Sequence, residues 1–429
     1  MGSYTLIIAA SIIIIISFIF GEISKRTSIP AVLMLIFLGV GLQYVLPTFG
    51  LADVDLMPYL EVFGIVGLIM IVLEAALELE LKPEKYLPIA KAFGIALLGL
   101  VASTWAAAEI LQFFVEGMSA QIAWLYATPL SILSSAIIIP SVTDMREDKK
   151  EFHIYESTFS DILGIMLFYF LSVRLPLHGA EEHGGGVGTF LLITAATVIG
   201  SVLVAYIMIY VFQHIKSHTK LFLLIAVLLL LYAIGKDKFH LSALIIILIF
   251  GLVIANMKKF FRGPLERFLD IKKAHEIYEN LHTITMETAF VVRTFFFVFF
   301  GLTITIASIF NLTVAMISGL IILSIYLIRF VLLRLFIGKD ILPQLFVAPR
   351  GLITVLLFYA IPVEVAVKGF DSGILLFIII GTSLIMTVAM IWEKQRSGKA
   401  TKRALANPVE YGRWKAPSVE DVLEEKPAH

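Results

Sequence analysis

The chain has 429 residues, 59% of them hydrophobic and only 15% charged, with no net charge at pH 7 and a mean hydropathy of +0.95. These values lie far outside soluble globular usage and identify a polytopic membrane protein. With no cysteine, disulfides and thiolate metal sites are ruled out; the balanced charge is silent on soluble partners, and no nucleic-acid partner is implied.

Apolar windows of roughly 17 to 25 residues, the length that crosses a hydrocarbon core of ~30 Å, fall at about 4–22, 29–47, 59–78, 90–114, 122–143, 154–173, 188–213, 220–235, 241–257, 285–309, 313–337, 343–363 and 371–393. They predict an all-α fold of about 13 transmembrane helices. The first window follows three residues that carry no basic stretch, and it is expected to be retained rather than cleaved as a signal peptide. Windows eight and nine are short, separated only by the stretch from Gly235 to His240. The stretch from His178 to Gly186 reads as a flexible outer connection, and its histidines, His178 and His183, are too loosely held to argue for a metal.

Loop charge gives the orientation. With the N-terminus outside, the inner loops hold Lys25, Arg26, Lys82, Lys85, Lys91, Arg146, Lys149, Lys150, Lys216, Lys220, Lys258, Lys259, Arg262, Arg267, Lys272, Lys273 and Lys339, and the outer loops only Arg174, Lys236, Lys238 and Lys368. This asymmetry of 17 to 4 follows the positive-inside rule for a cell-membrane protein. Eight further Lys and Arg after Trp392 place the C-terminus in the cytosol.

Ionisable groups at membrane depth are costly; they face the protein interior and mark ion or proton pathways. The densest such signal is on span six, Tyr155-Glu156-Ser157-Thr158-Phe159-Ser160-Asp161-Ile162-Leu163-Gly164. Glu156 and Ser160 share a helix face, and Ser157, Asp161 and Gly164 form the adjacent stripe. Small residues admit a neighbouring backbone, so Asp161 is expected to face a narrow cavity.

Span five contains Ser131-Ile132-Leu133-Ser134-Ser135-Ala136-Ile137-Ile138-Ile139-Pro140-Ser141, and span twelve Val347-Ala348-Pro349-Arg350-Gly351-Leu352. Each carries a helix breaker among small or polar residues, and a broken helix offers carbonyls and half-helix dipoles to an ion. Residues 1–175 (spans one to six) and 220–393 (spans eight to thirteen), linked by 176–219, place the two breaks at corresponding positions in opposite orientations. That is the inverted repeat of secondary transporters. Residues 394–429, with Pro408, Pro417 and Pro427, read as a flexible cytosolic tail.

Among the remaining charges, Glu74 and Glu78 on span three suit a polar bridge within the bundle. Arg293 is expected to pair with Glu287 or a helix end, Arg350 to offset carbonyl dipoles as a fixed cation, and Arg334 to snorkel. His153, His240, His275 and His282 fall near span ends, where imidazoles can sense pH, and read as solvated loop residues.

Several of these stretches resemble the monovalent cation/proton antiporters, the family of prokaryotic sodium/proton antiporters and animal sodium/proton exchangers. Glu156-Ser157-Thr158-Phe159-Ser160-Asp161 is similar to its Glu-Ser-x-x-Asn-Asp signature, and Leu73-Glu74-Ala75-Ala76-Leu77-Glu78-Leu79 to its Phe-Glu-Gly-Gly-Leu segment. Ile328-Arg329-Phe330 resembles its helix with a buried arginine, and Ala348-Pro349-Arg350-Gly351 its Gly-Leu-Arg-Gly turn. The resemblance implies that Asp161 binds the transported cation or proton, assisted by Ser160, Ser157, Ser134 and Ser135, that Arg329 pairs with Glu156, and that Arg350 and Glu74 are auxiliary. It also implies a homodimer in the lipid bilayer, with spans four to six and eleven to thirteen moving as a core against a scaffold. Serine at 160 replaces the family's asparagine or second aspartate, and Ser134-Ser135-Ala136 replaces the Thr-Asp-Pro of its first break and resembles the Ser-Ser-Thr-Ala run of the potassium/proton branch. Na⁺ and K⁺ both remain open as cargo; Na⁺ is the first choice.

If Asp161 alone exchanges ions, it is neutral whether it holds a proton or a monovalent cation, while Glu156 and Arg329 cancel. Exchange is then one for one, and an imposed potential is expected to leave the rate nearly unchanged. Competition also requires a carboxylate that titrates near cytosolic pH, which a freely solvated aspartate does not. No cofactor beyond the transported ions is implied, and no enzyme activity: His275-Glu276-Ile277-Tyr278-Glu279 has glutamate where a zinc helix requires its second histidine. A cation channel and a non-transporting sensor are the rival classes.

Overall fold

The computed structural model describes residues 3–27, 29–45, 57–79, 81, 85–143, 145–173, 187–216, 219–239, 242–261, 268–303, 311–367 and 369–406. The 178–186 connection, His240, Arg174, Lys82, Arg262, Arg267, Lys368 and the three tail prolines lie outside these residues. Among the described residues the regular structure is helical throughout, in chain order α1 (Ser3–Thr27), α2 (Ala31–Val45), α3 (Met57–Glu78), α4 (Tyr86–Phe114), α5 (Ala120–Ser131), α6 (Ser135–Ser141), α7 (Glu147–Val173), α8 (Val187–His214), α9 (Lys220–Phe239), α10 (Ser242–Ala255), α11 (Met257–Phe260), α12 (Ile271–Thr303), α13 (Leu312–Phe336), α14 (Leu352–Tyr359) and α15 (Gly373–Ala406). Among the described residues, eight helical segments are long and apolar enough to cross a membrane, and three further apolar helices are shorter. The chain is a multi-pass membrane protein.

Local chemistry fixes several helix ends. Ser119 caps α5 by accepting from the Ile122 amide at 3.4 Å, and Asn311 caps α13 by accepting from Thr313 at 3.0 Å. After α13 the chain turns through Gly338, whose φ of 106° is left-handed and whose amide reaches back to Leu333 O at 3.2 Å, an arrangement glycine adopts without strain.

The helices pack in two sets. In one, α4 lies against α5, α7 and α13, and α13 against α15; in the other, α12 lies against α2 and α3, and α10 against α3, α8 and α9. The second set contains a close backbone crossing: a Cβ on Gly39 would lie 2.9 Å from the Gly301 Cα, and one on Gly301 would lie 2.9 Å from the Gly39 Cα. Only glycine on both sides permits this approach of α2 to α12. Ser17 on α1 adds a buried 2.6 Å bond to Thr294 on α12.

Where the chain passes from α3 in the second set to α4 in the first, Asn256 holds it. Its side-chain amide donates to Leu79 O at 2.7 Å and its carbonyl accepts from the Leu81 amide at 2.6 Å.

Span five is interrupted at Ile132 to Ser134, between α5 and α6. The window at 343–363 behaves differently: its first part is turn and irregular chain, and only α14, beyond Gly351, is helical. Pro343 and Pro349 deny the segment two amide donors. Carbonyls of this segment and of Leu342 just before it find partners: Leu342 O takes Lys149 Nζ at 2.6 Å, Gln344 O takes Arg329 Nε at 3.0 Å, Pro349 O takes the Ser134 amide at 3.0 Å, and Ala348 O takes the segment's own Arg350 Nη1 at 2.6 Å. Irregular backbone at membrane depth persists only with such partners.

Two further boundaries depart from the apolar windows. Helix α12 begins at Ile271, fourteen residues before its window, because Ala274, Ile277 and Leu281 repeat at helical spacing and are buried although charged residues between them lower the local hydropathy. Helix α15 continues to Ala406, so the start of the expected tail is helical.

Candidate functional site

The site lies where α7 passes the interruption between α5 and α6. Gly164 permits the contact, since a Cβ there would strike the Ile132 side chain. At the same interruption Ser134 meets Pro349 through its amide, and a Cβ on Gly351 would lie 2.5 Å from the Ser134 hydroxyl. The two irregular segments therefore cross in backbone contact against one face of α7.

Asp161 is 3% exposed, and neither carboxylate oxygen has a hydrogen-bond partner among the described residues. Ser135, the first residue of α6, turns its amide and hydroxyl toward the carboxylate without reaching hydrogen-bond geometry. A buried polar atom without a partner is costly, so both oxygens of this carboxylate carry unmet hydrogen-bonding demand. Ser157 donates to His153 O at 2.7 Å, which leaves its oxygen lone pairs available. Ser160 accepts from the Leu133 amide at 3.0 Å and thereby ties α7 to the interruption. Among the described residues no cluster of three or more acidic, His or Cys side chains forms; a cation held here would meet one carboxylate amid hydroxyl and carbonyl oxygens.

One turn from Ser160, Glu156 receives two bonds from Arg329, Nη1 to Oε1 at 2.5 Å and Nη2 to Oε2 at 2.8 Å. The fork-to-fork geometry is the strong form of such a pair, and both residues are buried. His153 lies 3.6 Å from Glu156, beyond hydrogen-bond range, and is fully buried rather than solvated. A cavity of about 30 Å³ lies beside the pair, lined among others by Ser103, Ser131, Glu156, Ser160, Arg329 and Arg350; that volume accommodates one or two waters.

The Arg350 guanidinium is fully enclosed and, among the described residues, donates to main-chain carbonyls, those of Leu130, Ala348 and Ser131. Glu74 meets Arg293 at 3.3 Å, so among the described residues the partner of Arg293 is Glu74 rather than Glu287. Glu78 is partly buried one turn further along.

Gln344, Thr382, Lys149 and His153 also shape the site. Thr382 accepts from the Arg350 amide at 3.1 Å, and Lys149 bonds Asp340 at 2.9 Å. Lys149, His153, Glu156 and Ser160 recur every three or four residues along α7, a polar stripe visible in the sequence once the helix is extended back to Glu147.

The model of the sodium/hydrogen exchanger transmembrane family matches residues 10–393. No curated protein sequence matches. Among solved structures, the fold is similar to that of the sodium proton antiporter MjNhaP1 from Methanocaldococcus jannaschii at pH 8, with a TM-score of 0.66 at 19% identity over 92% of this chain and 99% of that one. An electron-microscopy structure of the same antiporter gives a TM-score of 0.65 at 19% identity, covering 97% and 100% of the two chains. With the family match spanning nearly the whole chain, this protein belongs to the sodium/hydrogen exchanger family of monovalent cation/proton antiporters.

Proposed function

We propose that the chain exchanges a monovalent cation, Na⁺ in the first place, for a proton, and that Asp161 binds the two alternately. The observation that carries this reading is the Asp161 carboxylate itself, buried beside two crossing chain interruptions with both oxygens unbonded among the described residues. One group that accepts either cargo, never both, couples their movement. The reaction is transport, with no covalent chemistry. The set containing α4, α5, α7, α13 and α15 moves against the set containing α2, α3, α10 and α12, exposing Asp161 to one side and then the other, with the N-terminus outside and the C-terminus cytosolic. Glu156 and Arg329 hold the moving set together, and a second copy of the chain supports the other set in the bilayer.

K⁺ is the second reading. It is favoured by the Ser134-Ser135-Ala136 interruption, which supplies no second carboxylate.

Cation-driven proton flux in proteoliposomes, run with Na⁺, Li⁺ and K⁺ in turn, tests both. D161N is expected to abolish flux while the protein keeps its elution profile and thermal transition in detergent. Full flux in D161N would remove Asp161 from the mechanism.

A further inference from the structure

Arg350 is a buried charge that the exchange step leaves unused. It is 2% exposed, and its guanidinium donates to Leu130 O at 3.0 Å, Ser131 O at 3.1 Å and Ala348 O at 2.6 Å. Two of these carbonyls end α5, where the helix dipole places partial negative charge. They satisfy the donors without supplying a counter-ion, and no carboxylate pairs with Arg350 among the described residues. The other buried charges of the same helix set have partners: Glu156 pairs with Arg329, and Lys149 with Asp340, whose own side chain is exposed; His153 counts as neutral imidazole. Asp161 is neutral when it holds either cargo.

We infer that Arg350 makes the loaded core a net cation, so that each half of the cycle carries one positive charge through the membrane field, outward with one cargo and inward with the other. The inference rests on the exchange reading above. Over a whole turnover the two displacements cancel, and no net charge crosses. Without Arg350 the rate would be indifferent to membrane potential; with it, only the endpoint is.

The test uses the full-length protein in proteoliposomes at equal pH and equal cation concentration on both sides. Isotopic exchange is followed with labelled Na⁺, or labelled Rb⁺ where K⁺ is the cargo, at potentials set by thiocyanate gradients. A unit charge crossing the whole field biases inward-facing against outward-facing states about 50-fold per 100 mV, and half of the field about 7-fold. Exchange is therefore expected to slow several-fold toward at least one polarity in the wild type and in R350K, and to become flat in R350Q. Where R350Q fails to fold, S131D places a carboxylate in the cavity beside the guanidinium and is expected to flatten the response equally. A wild-type rate that does not change with potential overturns the inference whatever the variants do, as does a dependence that R350Q or S131D retains in full. A wild-type protein without cation-driven proton flux would overturn the exchange reading instead.

Discussion

At the scale of single residues, the contact between Glu156 and Arg329 makes the firmest energetic statement. Both are buried and joined at 2.5 and 2.8 Å, and Arg329 also donates from Nε and Nη2 to Gln344 O. Removing one member strands the other charge, at a cost of about 3–5 kcal/mol. E156A and R329A are each expected to lower the thermal transition in detergent sharply, and the double variant to lose less than the sum of the two. Strictly additive losses would mean that the pair is not coupled. Glu156, Ser157, Ser160 and Asp161 stand out in the sequence because charge inside an apolar run is conspicuous. Gln344 and Thr382 do not, since an amide and a hydroxyl carry no such signal and act here through main-chain groups that only the fold brings near. His153 is hidden for a related reason: just before the apolar window it reads as solvated, whereas α7 begins at Glu147 and carries it into the interior.

At the scale of elements, the apolar windows locate the helices because a chain in lipid must satisfy its own amides and carbonyls. Where a segment finds partners elsewhere, the windows lose their meaning, as at 342–351, where carbonyls are taken by Lys149, Arg329 and the Ser134 amide. The α2 to α12 crossing is equally hidden from hydropathy, because Gly39 and Gly301 reveal nothing until they meet. G39A and G301A each push a methyl group into opposing backbone and are expected to destabilise by about 1–3 kcal/mol. Gly200 and Gly319, with nothing within 4 Å of an added Cβ, provide controls. Their alanine variants should be neutral or gain up to about 1 kcal/mol in helix propensity. Thermal unfolding in detergent compares the four, and equal behaviour would deny the crossing.

At the scale of the whole molecule, the proposed exchange carries a thermodynamic signature separate from its rate. With one cation against one proton, a tenfold cation gradient sustains a pH difference of about one unit, and a membrane potential leaves that endpoint in place. Each uncompensated charge would add about 2.3 kcal/mol per 100 mV. Final pH differences in proteoliposomes held at several potentials check this, and a shifting endpoint would require a second proton-carrying group, for which Glu74 and Glu78 are the nearest candidates in kind.

The grip of Asn256 on Leu79 and Leu81 has a mechanical meaning. It fastens the root of the strap from α3 to α4 to the end of α10, so in a cycle of the proposed kind this corner acts as a fulcrum. Points on the mobile helices close to it travel least and points far from it travel most, as along an oar turning in its rowlock.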